Sequence, residues 1–163
     1  MKRHIFFLLA LVAVAGAFDA SAQFRIAPQF GYVAKGDGAI QLGLNGEFFL
    51  KDNISTQPAF NYYLINNTPS GYSYSYWSID IDGHYYFTEG TTMVYALLGF
   101  SYLHAGVEYS GFTFTDNEFG LNVGLGSNFD IGSSVLPFAE LKYNSPWEGL
   151  VITIGARFGA GKK

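Results

Sequence analysis

Between Tyr76 and Phe87 the residues alternate by type. Trp77, Ile79, Ile81, Tyr85 and Phe87 share one parity, with Gly83 among them, and Tyr76, Ser78, Asp80, Asp82, His84 and Tyr86 share the other. Successive side chains of a β-strand point to opposite faces, so this stretch reads as a strand with one apolar face and one polar, partly charged face. It is long for a soluble strand and suits the roughly 9–11 residues that a tilted strand needs to cross a bilayer. Which face looks inward is settled by the rest of the chain.

The same rhythm runs through most of the sequence. Strands are expected over 23–34, 39–50, 54–65, 76–87, 93–104, 117–131, 135–144 and 148–158. The sixth is the cleanest: Phe119, Leu121, Val123, Leu125, Phe129 and Ile131 alternate with Gly120, Asn122, Gly124, Gly126, Asn128 and Asp130. The fifth has two apolar faces and cannot be oriented by pattern. Residues 105–116 alternate loosely and read as a hairpin that carries strands 5 and 6 beyond the membrane. Gly- and Asp-rich turns follow strands 1, 2, 4 and 6, and a longer polar loop covers 66–75. The result is an eight-stranded meander in one domain, with no helix signal beyond the N-terminal segment.

That segment reads as a secretory signal over 1–22. Lys2, Arg3 and His4 precede an apolar core, and Ala20-Ser21-Ala22 forms a cleavage site, with cleavage expected after Ala22. The exported domain is then 23–163. No later run approaches the 18 apolar residues of a spanning helix. Cys is absent, which excludes disulfide frameworks and Cys-based metal or redox sites. A net charge of −4 argues against a nucleic-acid surface. Charged residues are only 13%, while aromatics reach 18% and Gly stands at 20, which suits a β protein hiding much of its surface from water.

A soluble, lipocalin-like barrel with the apolar face inside is the alternative fold. Two counts weigh against it. Its outside would be Gln, Asn, Gly and Thr with few charges, where solubility calls for many Lys and Glu. Its bulky apolar set would also have to fit the narrow interior of eight strands. The opposite parity is small and polar (Gln41, Gly43, Asn45, Gly120, Asn122, Gly124) and fits such an interior. The apolar face therefore meets lipid, and the sheet must close, because an open edge would leave backbone groups unpaired in hydrocarbon. The short turns after strands 2, 4 and 6 suit the periplasmic side, and longer loops after strands 3 and 5 suit the outside; the short turn after strand 1 departs from that rule. Aromatic residues near the strand ends, among them Phe24, Tyr32, Phe48, Tyr62, Trp77, Phe129, Tyr143 and Phe158, would form the interface girdles.

With these residues in view, the chain resembles the small eight-stranded outer-membrane β-barrels, of the OmpX type and the transmembrane domain of OmpA, also called porin-family proteins. The likeness covers residues 23–158. Its most specific piece is the last strand, Leu150-Val151-Ile152-Thr153-Ile154-Gly155-Ala156-Arg157-Phe158, an alternating strand ending in Phe like the signal read by the barrel-assembly machinery. This chain departs by continuing over 159–163. The resemblance implies residence in the bacterial outer membrane, among its lipid and lipopolysaccharide.

Two constellations invite chemistry. Asp80, Asp82 and His84, at i, i+2 and i+4, project from one face of one strand and could hold a metal or do acid–base work. The simpler reading is a structural lumen network, since charges inside a narrow barrel must be paired. Arg25, Lys142 and Arg157 supply partners, with Glu47 and Glu140 as further acids. By position, Arg25, Glu47 and Arg157 form a periplasmic-end cluster, and Asp80, Asp82, Glu140 and Lys142 a central one. The second constellation is aromatic. Tyr72, Tyr74, Tyr109, Phe112 and Phe114 stand in the outer segments as candidates for contact with an extracellular partner. No Ser stands in a nucleophile elbow, no His-Ser pair like that of the lipid A deacylases is found, and no catalytic residue, metal site or cofactor is assigned. The expected function is a non-enzymatic outer-membrane protein of structural or surface-interaction role. The alternatives are a narrow channel for small or apolar solutes and a lipid A-modifying enzyme.

Overall fold

The computed structural model describes residues 24–36, 38–65 and 71–159. The expected signal segment with its cleavage site, Gln23, Asp37 of the first turn, 66–70 of the long loop and 160–163 of the tail lie outside the described residues.

Eight strands, β1 Phe24–Ala34, β2 Ala39–Lys51, β3 Ile54–Ile65, β4 Tyr72–Tyr86, β5 Thr92–Tyr109, β6 Phe112–Phe129, β7 Val135–Asn144 and β8 Gly149–Phe158, form a closed barrel in sequence order. Every neighbour is antiparallel, and β1 closes the ring by pairing with β8, Tyr32 opposite Ile152 and Ile26 opposite Phe158. Closure leaves no edge within the ring, as a sheet bathed in hydrocarbon requires. Among the described residues no helix is long and apolar enough to cross a membrane, and the crossing is made by strands.

Burial follows parity. Along β1 the pattern is strictly alternating, with Arg25, Ala27, Gln29 and Val33 buried and Phe24, Ile26, Phe30 and Tyr32 exposed. The interior is polar, with Arg25, Glu47, Asp80, Asp82, His84, Lys142 and Arg157 all at most 4% exposed, while Phe100 and Phe119 stand 71% and 80% exposed on the outside. A continuous belt of exposed Ile, Leu, Val and Phe has no place in water at this extent; it is the lipid-facing surface of a transmembrane barrel.

The ends of the lumen are closed by apolar side chains. At the end where β1 leads into β2, Val33, Ala39, Tyr63, Leu103 and Val151 pack together, with Ile65, Tyr76 and Trp147 laid against them. At the opposite end Tyr86, Met93, Tyr95, Leu97 and Leu136 pack with Phe49. These plugs orient β5. Tyr95, Leu97, Ser101 and Leu103 point inward, and Leu98 and Phe100 face lipid. Both faces of that strand are apolar because one of them builds the plugs.

Several boundaries differ from the sequence expectation. β4 begins at Tyr72, inside the segment read as loop, and ends at Tyr86 rather than Phe87. β5 and β6 are 18 residues each and run through 105–116 as continuous strand, so the connection after strand 5 is not a long loop. It is the two-residue turn Ser110-Gly111, with φ of 49° and 82°. Positive φ at both positions is the type I′ turn, whose twist matches that of the flanking strands. β6 ends at Phe129, short of Ile131, and β8 starts at Gly149, since Glu148 at φ 46° belongs to the preceding turn. Two prolines are accommodated at interruptions: the β2–β3 ladder skips the position opposite Pro58, and the β1–β8 ladder skips the one opposite Pro28. A residue without an N–H fits there.

Candidate functional site: the lumen network and the protruding sheet

Because one face of every strand points inward, polar residues of that parity meet across an interior only wide enough for side chains. Their charges divide into two groups joined by amides. In the middle, Lys142 of β7 places Nζ 3.1 Å from Asp80 Oδ2 and 3.1 Å from Asp82 Oδ2 of β4. Neutral donors complete both carboxylates: Ser101 Oγ to Asp80 Oδ1 at 2.6 Å, Asn61 Nδ2 to Asp80 Oδ2 at 2.9 Å, and Asn122 Nδ2 to Asp82 Oδ1 at 2.8 Å. Asn61 is itself held by Gln29 and Gln41, whose amide nitrogens donate to its Oδ1 at 2.6 and 2.7 Å.

Nearer the β4–β5 turn, Glu47 is the hub. Arg25 Nη1 lies 3.3 Å and Arg157 Nη1 3.4 Å from its Oε2, while Ser55 Oγ donates to Oε1 at 2.8 Å and Tyr86 also donates there. Arg157 spreads further. Its Nη2 donates to Gln57 Oε1 at 2.8 Å and Glu140 Oε1 at 3.1 Å, its Nη1 donates to Asn128, and its guanidinium lies 4.4 Å over the Phe138 ring. Tyr95 OH completes Glu140 at 2.7 Å. Four carboxylates thus face three permanent cations. Each charged group has a partner, as burial demands, because an unpaired ion in a dry interior costs several kcal/mol.

The row of Asp80, Asp82 and His84 divides. The two aspartates share Lys142. His84 turns to the lower group, stacks on Tyr95 with ring centroids 4.5 Å apart, and brings Nδ1 to 3.5 Å from Glu47 Oε1, too long for a good hydrogen bond. A cation already sits between the aspartates, and among the described residues no group of three His, Cys, Asp or Glu could hold a metal. Glu140 also departs from its expected place. It joins Arg157 rather than the central cluster, because the long guanidinium arm, rising from the end of β8, reaches up the adjacent strand. Pattern reading put Gln41, Asn122 and Tyr86 on the polar face but did not assign to the network the amides Gln29, Gln41, Asn61, Asn122 and Asn144 or the hydroxyls of Tyr86 and Tyr95, which carry much of it. Their signal was parity: each lies on the inward face of its strand.

The second candidate lies beyond the barrel. Pairing of β6 with β7 begins at Asn122, and pairing of β3 with β4 ends at Tyr76, so the outer parts of β4, β5 and β6 continue alone as a three-stranded sheet. Its polarity is inverted. The parity that faces lipid below carries Ser73, Ser75, Glu108, Thr113 and Thr115, and the parity that faces the lumen below carries the aromatics. Register sets them in rows: Tyr72, Tyr109 and Phe112 across the top, then Tyr74, Val107 and Phe114, then Tyr76, Ala105 and Asp116, then Ser78, Leu103 and Glu118. Tyr72 stacks on Tyr109 at 4.4 Å, and Tyr72, Tyr74 and Tyr76 form a ladder. The inversion falls at a girdle in which Trp77, Tyr102 and Phe119 meet at 5.7 and 4.7 Å, with His104 stacked on Trp77 at 4.9 Å and bonded to Asn117. Aromatic girdles of this kind mark the membrane interface.

Outside the membrane, Lys35 and Glu148 pair across the mouth between the β1–β2 and β7–β8 turns. The hydrogen bond and charge of Lys35 lower the pKa of Glu148.

No protein-family model matches the chain, and no curated protein does. Solved structures do match. The attachment invasion locus protein Ail of Yersinia pestis is 14% identical with a TM-score of 0.61, over 85% of this chain and 96% of that one. Neisserial surface protein A is 17% identical, TM-score 0.59, over 83% and 92%. The N-terminal barrel domain of Pseudomonas aeruginosa OprF is 14% identical, TM-score 0.65, over 83% and 96%. At these identities the likeness is one of fold: the chain is built as a small eight-stranded outer-membrane β-barrel.

Proposed function

We propose that this is a non-enzymatic protein of the bacterial outer membrane that uses its protruding sheet to hold a partner outside the cell. The observation that carries the reading is the inverted polarity of the outer β4–β5–β6 sheet. Its aromatic face is uncovered at the β6 side, with Phe112 and Phe114 69% and 68% exposed. Rings so exposed to water are costly unless something covers them. The free edge of β6 also offers unpaired backbone groups to an added strand. The lumen network belongs to the scaffold in this reading, with Arg25, Glu47, Asp80, Asp82, His84, Glu140, Lys142 and Arg157 holding the strands from inside. Lipid and lipopolysaccharide contact the belt, and the barrel-assembly machinery inserts the chain after a signal segment is removed.

Two observations weigh against a channel: the ion-paired, amide-filled interior and the apolar plugs at both ends. The lumen hydroxyls of Ser55 and Ser101 donate to the ion-paired carboxylates of Glu47 and Asp80, and neither His84 nor His104 is bonded to a serine, which weighs against lipid A modification. One structure of Ail is a complex with the heparin analogue sucrose octasulfate, a polyanion. A sheet whose charged side chains are Glu108, Asp116 and Glu118 does not suit such a ligand.

The test is to display the protein on cells and score their binding to arrays of immobilised proteins and glycans, beside cells with the triple variant Tyr72→Ala, Phe112→Ala, Phe114→Ala. The variant is expected to keep heat-modifiable gel mobility, the mark of a closed barrel, and to lose binding. Equal binding by both cell types would refute the reading.

A further inference from the structure

We infer that the partner segment seated on the protruding sheet is cationic: an extended peptide with Lys or Arg at alternate positions. This deepens the surface-binding reading and rests on it. The outer stretches 72–78, 102–109 and 112–120 contain neither Lys nor Arg, while Glu108, Asp116 and Glu118 are all exposed. Two of those carboxylates, Asp116 and Glu118, are two residues apart on β6, on the same face as the aromatics.

The register gives the chemistry of the seat. A strand laid along the free edge of β6 places alternate side chains roughly 5 Å from the face residues of β6. Two of them fall beside Phe112 and Phe114 and the next two beside Asp116 and Glu118. The middle of the sheet is low at this level, where Ala105 lies between Tyr76 and Asp116. A long, flexible side chain entering there passes its stem over Ala105 and keeps its charged head between a tyrosine ring and a carboxylate. Ring faces attract cations, and desolvation by the ring strengthens the ion pair. The segment that fits thus reads apolar-x-apolar-x-basic-x-basic along the face, or its reverse. A second copy of this chain is a poor occupant, since each edge brings acids of the same sign.

The full-length protein, folded into neutral phosphatidylcholine vesicles, is titrated with a labelled Val-Thr-Val-Thr-Lys-Thr-Lys peptide and with its Glu-for-Lys twin, binding being read by fluorescence anisotropy. The Lys peptide is expected to bind on the order of tenfold or more tightly than the twin. Asp116→Asn with Glu118→Gln should erase that difference, and added salt should shrink it. Phe112→Ala with Phe114→Ala should weaken both peptides without touching the preference for Lys. All four positions are exposed, so barrel closure, checked by heat-modifiable mobility, is retained. If the two peptides bind alike, or the preference survives loss of both carboxylates, the cationic inference is overturned while the surface-binding reading stands. Absence of all peptide binding overturns it too, and the cell-surface comparison above then decides whether that reading falls with it. Self-association of the protein, strengthened by Asp116→Asn with Glu118→Gln, would make the occupant a second copy and overturn it as well.

Discussion

Lys142 is the residue on which the central lumen depends. Among the described residues it alone bridges Asp80 and Asp82, and it is 4% exposed. Replacing it with Ala leaves two buried carboxylates facing each other, a loss of about 3–5 kcal/mol by the usual cost of breaking a buried pair. Lys35 also forms an ion pair, with Glu148, but in water, and Lys35→Ala should leave the unfolding midpoint unchanged. Urea titration of both variants in vesicles checks the contrast, and equal midpoints would contradict it. The inward parity of these charges could be read from the chain, because alternation fixes a side chain's face. The pairing could not. Parity says nothing of how far Arg157 reaches up the barrel, nor that His84 leaves the aspartates two and four residues before it for Tyr95 and Glu47. The amides were placed inside but given no partners, because a neutral Asn or Gln shows no partner until a carboxylate is placed 3 Å away.

At the scale of the element, β5 and its two hairpins show what pattern can and cannot reveal. Its orientation was illegible, since Tyr95, Leu97 and Leu103 inside are as apolar as Leu98 and Phe100 outside. The glycines in and beside it do distinct work. A Cβ on Gly99 would stand 2.1 Å from Asp82 Oδ1 and 2.4 Å from the Ile81 carbonyl oxygen, so Gly99 makes room for the aspartate that Lys142 holds. A Cβ on lipid-facing Gly83 meets nothing closer than 3.5 Å. Gly99→Ala is therefore expected to destabilise the barrel by roughly 1–3 kcal/mol, as overpacking does, and Gly83→Ala to be neutral; unfolding in vesicles distinguishes them. Gly111, at φ 82°, sits in the turn that joins β5 to β6. Gly111→Ala strains that turn, and faster amide exchange is expected in 105–116 with the ring unaffected. Ser-Gly between two aromatic residues was a legible turn signal. The hairpin over 105–116 was legible with it; that β5 and β6 run unbroken through it was not, since strands this long exceed what a bilayer needs.

For the molecule as a whole, the distance along the chain from Trp77 to Phe87 can be compared with the membrane. Ten residue steps at about 3.3 Å, tilted by about 40°, rise roughly 25 Å, the height of the apolar band of such barrels. The girdle at Trp77, Tyr102 and Phe119 is thus where the sheet leaves hydrocarbon, and everything above it is free to be shaped by a partner. Below it, the lumen is closed. Planar bilayers holding the protein are expected to show no unitary current; steps that vanish in a lumen variant would favour the channel instead. The eight-stranded closed ring was legible because each strand had to present one face to lipid. The plugs were not, because they follow from which inward residues meet across the barrel.

The seam between β1 and β8 joins the two most distant strands of the ring, with Ile26 opposite Phe158. Every other pairing joins neighbours in sequence and can zip from a turn. This one cannot begin until the chain has curled through all eight strands, and it meets Pro28, which offers no amide hydrogen to the ladder. Time therefore enters the architecture at that seam. Hairpins form early, the circle closes last, and until then the first and last strands are two open margins in need of shelter.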